Sequence, residues 1–202
     1  MIWLSADSHY YHKNILKFCK RPWNTVAEMN EGLIANHNAR VKKDEHWYHL
    51  GDFSFGGTKN TTEILKRLHG FKICIRGNHD PDAATLLKMG WDKVYENHEL
   101  TLNDGVNKVK VYLSHFPYHP VLYHSNVAGT ITSINDVNQD TRYLHKRILP
   151  DGEHWLLHGH VHEAWKVQPE HKMINVGVDV NDFCPVPHTT ILKIISEHKN
   201  KL

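Results

Sequence analysis

The chain has 202 residues, 40% of them hydrophobic and 23% charged, which points to one folded domain and excludes a disordered chain. Lys and Arg number 24 against 22 Asp and Glu, too weak a bias to argue for nucleic acid or an anionic membrane as partner. The count that stands out is 19 histidines; histidine is the commonest metal ligand, but abundance alone assigns no role. Three cysteines, Cys19, Cys74 and Cys184, are an odd number without CxxC spacing. A disulfide framework is not expected, and a reducing cytoplasm fits. Met1–Ala6 is apolar but stops at Asp7 without a basic leader, so it does not read as a signal peptide. No apolar run approaches the roughly 20 residues of a membrane helix.

Met1 to Ala6 reads instead as a buried strand. Thr25-Val26-Ala27-Glu28 fits a capping box, followed by Val26, Met29, Leu33, Ile34 and Val41 at helical spacing. His46 to Leu50 is a second strand. Thr61 to His69 is a short helix with Gly70 at its end. Phe71 to Arg76 is a third strand, and Asp82 to Met89 a helix stopped by Gly90. Val109–Ser114, His154–His158, Met173–Val176 and Thr190–Ile195 are the later strands. Phe116 to Gly152 is irregular, with one helix near Asp140–Leu149. This alternation favours an α/β layer architecture in a single domain over residues 1–202.

The polar residues that follow the strands carry the chemistry. The strands lead into Asp7-Ser8-His9, Gly51-Asp52, Gly77-Asn78-His79-Asp80, His115 and Gly159-His160-Val161-His162. In α/β sheets ligands bind at the carboxyl edge of the strands. Taken singly, each motif has a plainer reading: a surface Asp-x-His, or the turns that Gly, Asn and Asp favour. Five in order at five strand ends are far more specific. Asp7, His9, Asp52, Asn78, His115, His160 and His162 make seven O and N donors, a set suited to Mn, Fe or Zn and too large for one four-coordinate zinc. With Asp52 as bridge they divide into two four-ligand sites, the arrangement that clamps both oxygens of an in-line displacement at phosphorus.

These motifs resemble the calcineurin-like metallophosphoesterase superfamily, whose pattern D-x-H, G-D, G-N-H-[DE], H, G-H-x-H is complete and in order over residues 7–162. The resemblance implies a two-sheet β-sandwich flanked by helices. It implies one metal on Asp7, His9, His162 and Asp52, and a second on Asn78, His115, His160 and Asp52. It further implies a metal-bridging hydroxide attacking phosphorus, His79 as general acid at the leaving group, and Asp80 orienting it. The cofactors implied are two divalent ions, manganese first, with Fe, Zn, Ni or Co as alternatives. The G-D motif continues as Phe53-Ser54-Phe55-Gly56 rather than G-D-x-x-D-R-G, which argues against a protein phosphatase.

A narrower resemblance to small bacterial and phage phosphoesterases lies in Asp7-Ser8-His9-Tyr10-Tyr11-His12-Lys13-Asn14 and Arg21-Pro22. It makes His12 and Asn14 candidates to line the pocket, although they also suit the start of a helix over 12–19. Arg21 and Arg76 are candidates for a substrate phosphate, since guanidinium matches phosphate oxygens bidentately. Tyr118, His119, Tyr123 and His124 would form a substrate wall, with the segment to His154 as a partial lid. Asn181 and Asp182 are weaker candidates near the metals. The expected activity is hydrolysis of phosphomonoesters or phosphodiesters, with a nucleotide or cyclic nucleotide among the substrates. The partner is a small phosphorylated molecule, with no membrane and nucleic acid not favoured. A Mn-dependent nuclease of the same fold and a non-catalytic scaffold are the alternatives.

Overall fold

The computed structural model describes residues 1–119 and 141–199. β1 (Ile2–Ser5), β2 (His46–His49), β3 (Phe71–Ile75) and β4 (Lys93–Tyr95) pair in parallel. β10 (Val186–Pro187) lies antiparallel against β1 and completes a five-stranded sheet. A second five-stranded sheet runs β5 (His98–Asn103), β6 (Lys108–Leu113), β7 (Trp155–His158), β9 (Met173–Asn175), β8 (Val167–Gln168), in spatial order. The expected two-sheet, helix-flanked architecture is therefore present.

The period-2 alternation of the strands decides which residues face which layer. On β2 Tyr48 points between the sheets, joining Leu4, Leu50, Ile73 and Ile75 against Leu102, Val111, Leu113, Leu157 and Ile174 of the second sheet. Trp47 points the other way. It packs under α2 (Val26–Arg40), α3 (Gly57–Arg67) and α4 (Ala83–Met89) through Met29, Leu33, Ile64, Leu65, Leu86 and Met89. Strands whose two faces are both covered read as nearly continuous apolar runs, which β1 and β3 approach while β2 carries a histidine at each end.

The helix ends follow the expected chemistry. The Thr25 hydroxyl accepts from Glu28 N while the Glu28 carboxylate accepts from Thr25 N, closing the capping box. Asp82 caps α4, and Gly90 ends it at φ 117°, a left-handed conformation that glycine adopts without penalty.

Three expectations need correction. Thr190–Ile195 is not a strand; it lies within α5 (His188–Lys199). Ile191, Leu192 and Ile195 fall on one helical face and are buried in the core between the sheets, and that face wins over the β-branched run. α3 begins four residues before Thr61, because its first turn is polar and exposed and carries no periodicity to detect. The irregular segment contributes a 3-10 turn over Thr141–Lys146 in place of a longer helix. β4, β5, β8 and β10 escaped the sequence reading. Tyr123, His124 and most of the lid segment lie outside the described residues. Among the described residues no helix is long and apolar enough to cross a membrane, and Cys19, Cys74 and Cys184 form no disulfide.

Candidate metal centre

The carboxyl ends of β1, β2, β3, β6 and β7 meet at one edge of the two sheets. Backbone bonds lock the loops together: Asp7 N–H donates to Gly51 O at 3.0 Å, His9 N–H to Asp52 O at 3.1 Å, and Gly159 N–H to His115 O at 3.0 Å. Space is tight enough that a Cβ on Gly77 would collide with Asp52, and one on Gly159 with Ala6 and Asp7. Among the described residues ten non-glycine residues have positive φ, and five of them are Asp7 (56°), His9 (50°), Asp52 (57°), His160 (72°) and His162 (47°). Asp and His tolerate this region better than most, yet each such residue costs roughly 1–3 kcal/mol. Strain on five of the seven candidate donors marks a place where side-chain aim outweighs backbone comfort.

The side chains converge. Asp7, His9 and His162 offer donor atoms within 4.8 Å of one another, and so do Asp7, Asp52 and His115. Asp52 Oδ1 accepts from His79 N–H at 2.9 Å. Its other oxygen, Oδ2, is left facing His115 Nε2 at 3.5 Å, His9 Nε2 at 3.8 Å and His79 Nε2 at 3.9 Å. His115 Nδ1 lies 2.8 Å from Leu50 O; a carbonyl only accepts, so Nδ1 carries the proton. In the neutral ring Nε2 is then a lone pair, and it stands 3.0 Å from the Asn78 amide oxygen. His160 donates its backbone N–H to Asp7 Oδ2, and its ring packs 5.1 Å from that of His115.

Buried acceptors without donors are costly. Asp7 Oδ1 and both His9 nitrogens are buried and have no hydrogen-bond partner, which is the state expected of atoms shaped for a cation. The Asp/His groups could therefore hold metal ions. Burial lifts the Asp7 carboxyl to about 6, against the pull of His162 and His115. Burial also holds His9 neutral, well below the usual imidazole range, with the His162 and Arg21 charges adding to it.

Around this cluster stands a shell that the sequence did not reveal. Asp179, 17 residues beyond His162 and at no strand end, accepts from His162 Nδ1 at 2.8 Å and aims the ring. Burial opposes charge on His162, but the bonds to Asp179 and Cys19 and the Asp7 carboxylate outweigh it and push its pKa up to about 11. Cys19 is half-buried in the same group, so a thiol lies close to a donor set read as thiol-free. Burial raises the Cys19 thiol against the pull of His162. Asp80 accepts from the backbone N–H groups of Asp52, Phe53 and Gly77 at 2.8–3.0 Å. Its carboxylate thus clamps two loops instead of contacting the His79 ring as expected.

The candidate substrate residues divide. Arg21 is corrected: it is buried, donates twice to Asp179 (2.8 and 3.0 Å), and binds Asp7 O and Ser8 O at 2.7 and 2.8 Å. No donor faces outward for a phosphate. Tyr118 is also corrected, being buried with its hydroxyl on His154 O at 2.9 Å. His119 donates its backbone N–H to Ile148 O. Asn14 is exposed and starts α1 (Ile15–Phe18) without a side-chain cap bond. Asn181 is turned inward, donating to Asn175 O and Gly177 O. His12 does reach the site, its ring 5.6 Å from that of His9. Arg76 pairs with Glu96 and lines a cleft of about 210 Å³ with Phe116 and Lys146.

Histidines buried away from the cluster set a pH dependence. Burial lowers His37 to about 4 and His158 to about 3, and holds His49 well below its usual range. These rings stay neutral in the fold while the unfolded chain takes up protons below about 6.5. Their contribution is whole above that pH and is lost as pH falls toward 4 and 3. Each tenfold separation in proton affinity is worth about 1.4 kcal/mol. Asp7 acts oppositely, because its raised value favours the fold below 3.8 and the gain fades as pH rises through 6. Burial also raises Asp80, but three rings outweigh two carboxyls, so calorimetry on metal-free protein is expected to show Tm falling steadily between pH 6.5 and 4.5. A flat Tm across that window refutes the assignment.

No protein-family model matches the chain. It is 33% identical over 205 residues to the uncharacterized protein MJ1445 of Methanocaldococcus jannaschii, covering 98% of this chain and 93% of that one. A solved protein of unknown function, AQ665 from Aquifex aeolicus, superposes with a TM-score of 0.64 at 26% identity, over 96% of this chain and 99% of that one. A predicted phosphoesterase from Streptococcus pneumoniae matches at TM-score 0.33 and 17% identity, over 87% of this chain and 70% of that one, a likeness too slight to carry an argument.

Proposed function

We propose that this chain, which belongs to one family with the uncharacterized protein MJ1445 of Methanocaldococcus jannaschii, is a metal-dependent phosphoesterase acting as a single domain. The observation that carries this reading is Asp52 Oδ2, set 3.5–3.9 Å from three imidazole nitrogens beside buried acceptors that no donor satisfies. Asp7, His9, His162 and Asp52 would hold one divalent cation, and Asn78, His115, His160 and Asp52 a second. When bound, such a pair supplies an acidified water as nucleophile and positive charge for the phosphoryl oxygens.

The chain's own groups do the rest. The His79 backbone N–H fixes one Asp52 oxygen so that the other faces the cluster. Asp179 and Leu50 O accept hydrogen bonds from Nδ1–H of His162 and His115, so that Nε2 of each ring is the atom left for the centre, and a cation there would displace the second His162 proton. The His79 side chain is 47% exposed, with Nε2 3.9 Å from Asp52 Oδ2, so it can reach a leaving oxygen and hand it a proton. Phe55 stacks on His9 at 5.5 Å and keeps water off that side. The substrate class is a phosphomonoester or phosphodiester of a small molecule, and manganese suits the donor set. Loading with Mn²⁺ is expected to give turnover of bis-p-nitrophenyl or p-nitrophenyl phosphate that a chelator removes. Well-folded protein inactive with every divalent metal ion contradicts the reading.

A further inference from the structure

Beside the cluster lies a cleft of about 350 Å³ that the phosphoryl chemistry leaves unused. Small-molecule pockets begin at about that size. Phe53, Pro81 and Met89 give it apolar walls, and Ser54 and Thr58 add hydroxyls. The Ser54 hydroxyl oxygen already accepts from Gly56 N–H at 3.0 Å and Thr61 Oγ1 at 2.9 Å, so its own hydrogen is the part left to donate. His79, the group placed at the leaving oxygen, lines the same cleft.

Phe55 forms the rim. Its ring lies 4.9 Å from that of His79 and 4.3 Å from that of His12, yet it is 42% exposed. The loop that carries it is pinned: Tyr10 N–H donates to Phe53 O at 2.9 Å and Phe55 N–H to Tyr10 O at 2.8 Å. The ring packs against His9, His12 and His79 and leaves the rest of its surface to solvent on that fixed backbone. Its exposed part is a preformed stacking surface on the cleft that it lines together with His79.

We propose that this cleft receives the leaving group of the substrate, and that the leaving group is a nucleoside whose base stacks on Phe55. The orientation of the ligand rests on the phosphoesterase reading; the affinity of the cleft for a planar ring does not. The Ser54 hydroxyl hydrogen is the donor for an acceptor on the base edge.

Adenosine, titrated into metal-free protein and followed by NMR shifts of both partners, tests it without turnover. Saturable binding is expected, with methyl riboside giving none. Base–aromatic stacking is lost on truncation, so Phe55→Ala is expected to weaken adenosine about 5- to 100-fold, while Phe55→Tyr retains it. Thr58→Trp, at an exposed position, is expected to fill the cleft and abolish binding; circular dichroism checks that each variant is folded. No saturable binding to the wild type, or equal binding by Phe55→Ala, overturns the proposal. Turnover of bis-p-nitrophenyl phosphate is scored separately. Turnover without adenosine binding sinks the nucleoside site alone, and adenosine binding without turnover sinks the phosphoesterase reading and leaves the ring site standing.

Discussion

Asp52→Asn is expected to fold and to lose roughly 10³-fold or more in hydrolysis of bis-p-nitrophenyl phosphate, about 4 kcal/mol of barrier. The carboxylate is nearly isosteric with the amide, and its Oδ1 can still accept from His79 N–H. What changes is the other position. An NH₂ group would stand where Oδ2 now faces the Nε2 atoms of His115, His9 and His79. It offers hydrogens where an anion is needed, and the cluster loses a full negative charge. Calorimetric titration with Mn²⁺ is expected to lose affinity in parallel. Wild-type turnover with weakened manganese binding, or the reverse, removes Asp52 from the centre of the site.

Arg21→Met is expected to destabilise the protein by about 3–5 kcal/mol, because it breaks a buried ion pair and leaves the Asp179 carboxylate with the His162 ring as its remaining donor. The side chains of Arg21 and Asp179 are 0% and 1% exposed, so water cannot take over for the lost partner. For a chain of this size that is a fall in Tm of roughly 6–20 °C. Two carbonyls, Asp7 O and Ser8 O, lose their donors at the same time. The size of the effect separates two roles. A phosphate-binding arginine would raise KM and leave Tm alone; the buried arginine lowers Tm and slackens metal binding through Asp7 and His162. An unchanged melting curve removes this structural role.

The motifs were legible because each sits where a strand stops, and strand ends are readable from apolar runs. Asp7, His9, Asp52, Asn78, His115, His160 and His162 needed only order along the chain. What escaped depends on contacts between distant segments. Asp179 is one aspartate among several until the fold sets it against Arg21 and His162. Arg21 read as a candidate for a substrate phosphate because nothing in Lys20-Arg21-Pro22 announces burial. Tyr118 beside His115 looked like a wall residue, but its hydroxyl turns away to His154 O. Phe55 reads as part of an apolar loop, and only its exposure beside His9 gives it a role. α5 was misread because Ile191, Leu192, Ile194 and Ile195 satisfy strand propensity and helical spacing at once, and tertiary burial chose between them.

The Arg21–Asp179 pair also constrains when the protein becomes competent. It ties the loop after the first strand to a residue 158 positions later. The Ala6–Gly177 bridge makes the same connection in backbone. A ribosome-bound nascent chain shorter than about 180 residues has most of its donors made but nothing to aim His162 or neutralise the guanidinium. A cation held at this site would therefore be taken up late in biogenesis, after the last long-range closure, and would not guide the earlier ones.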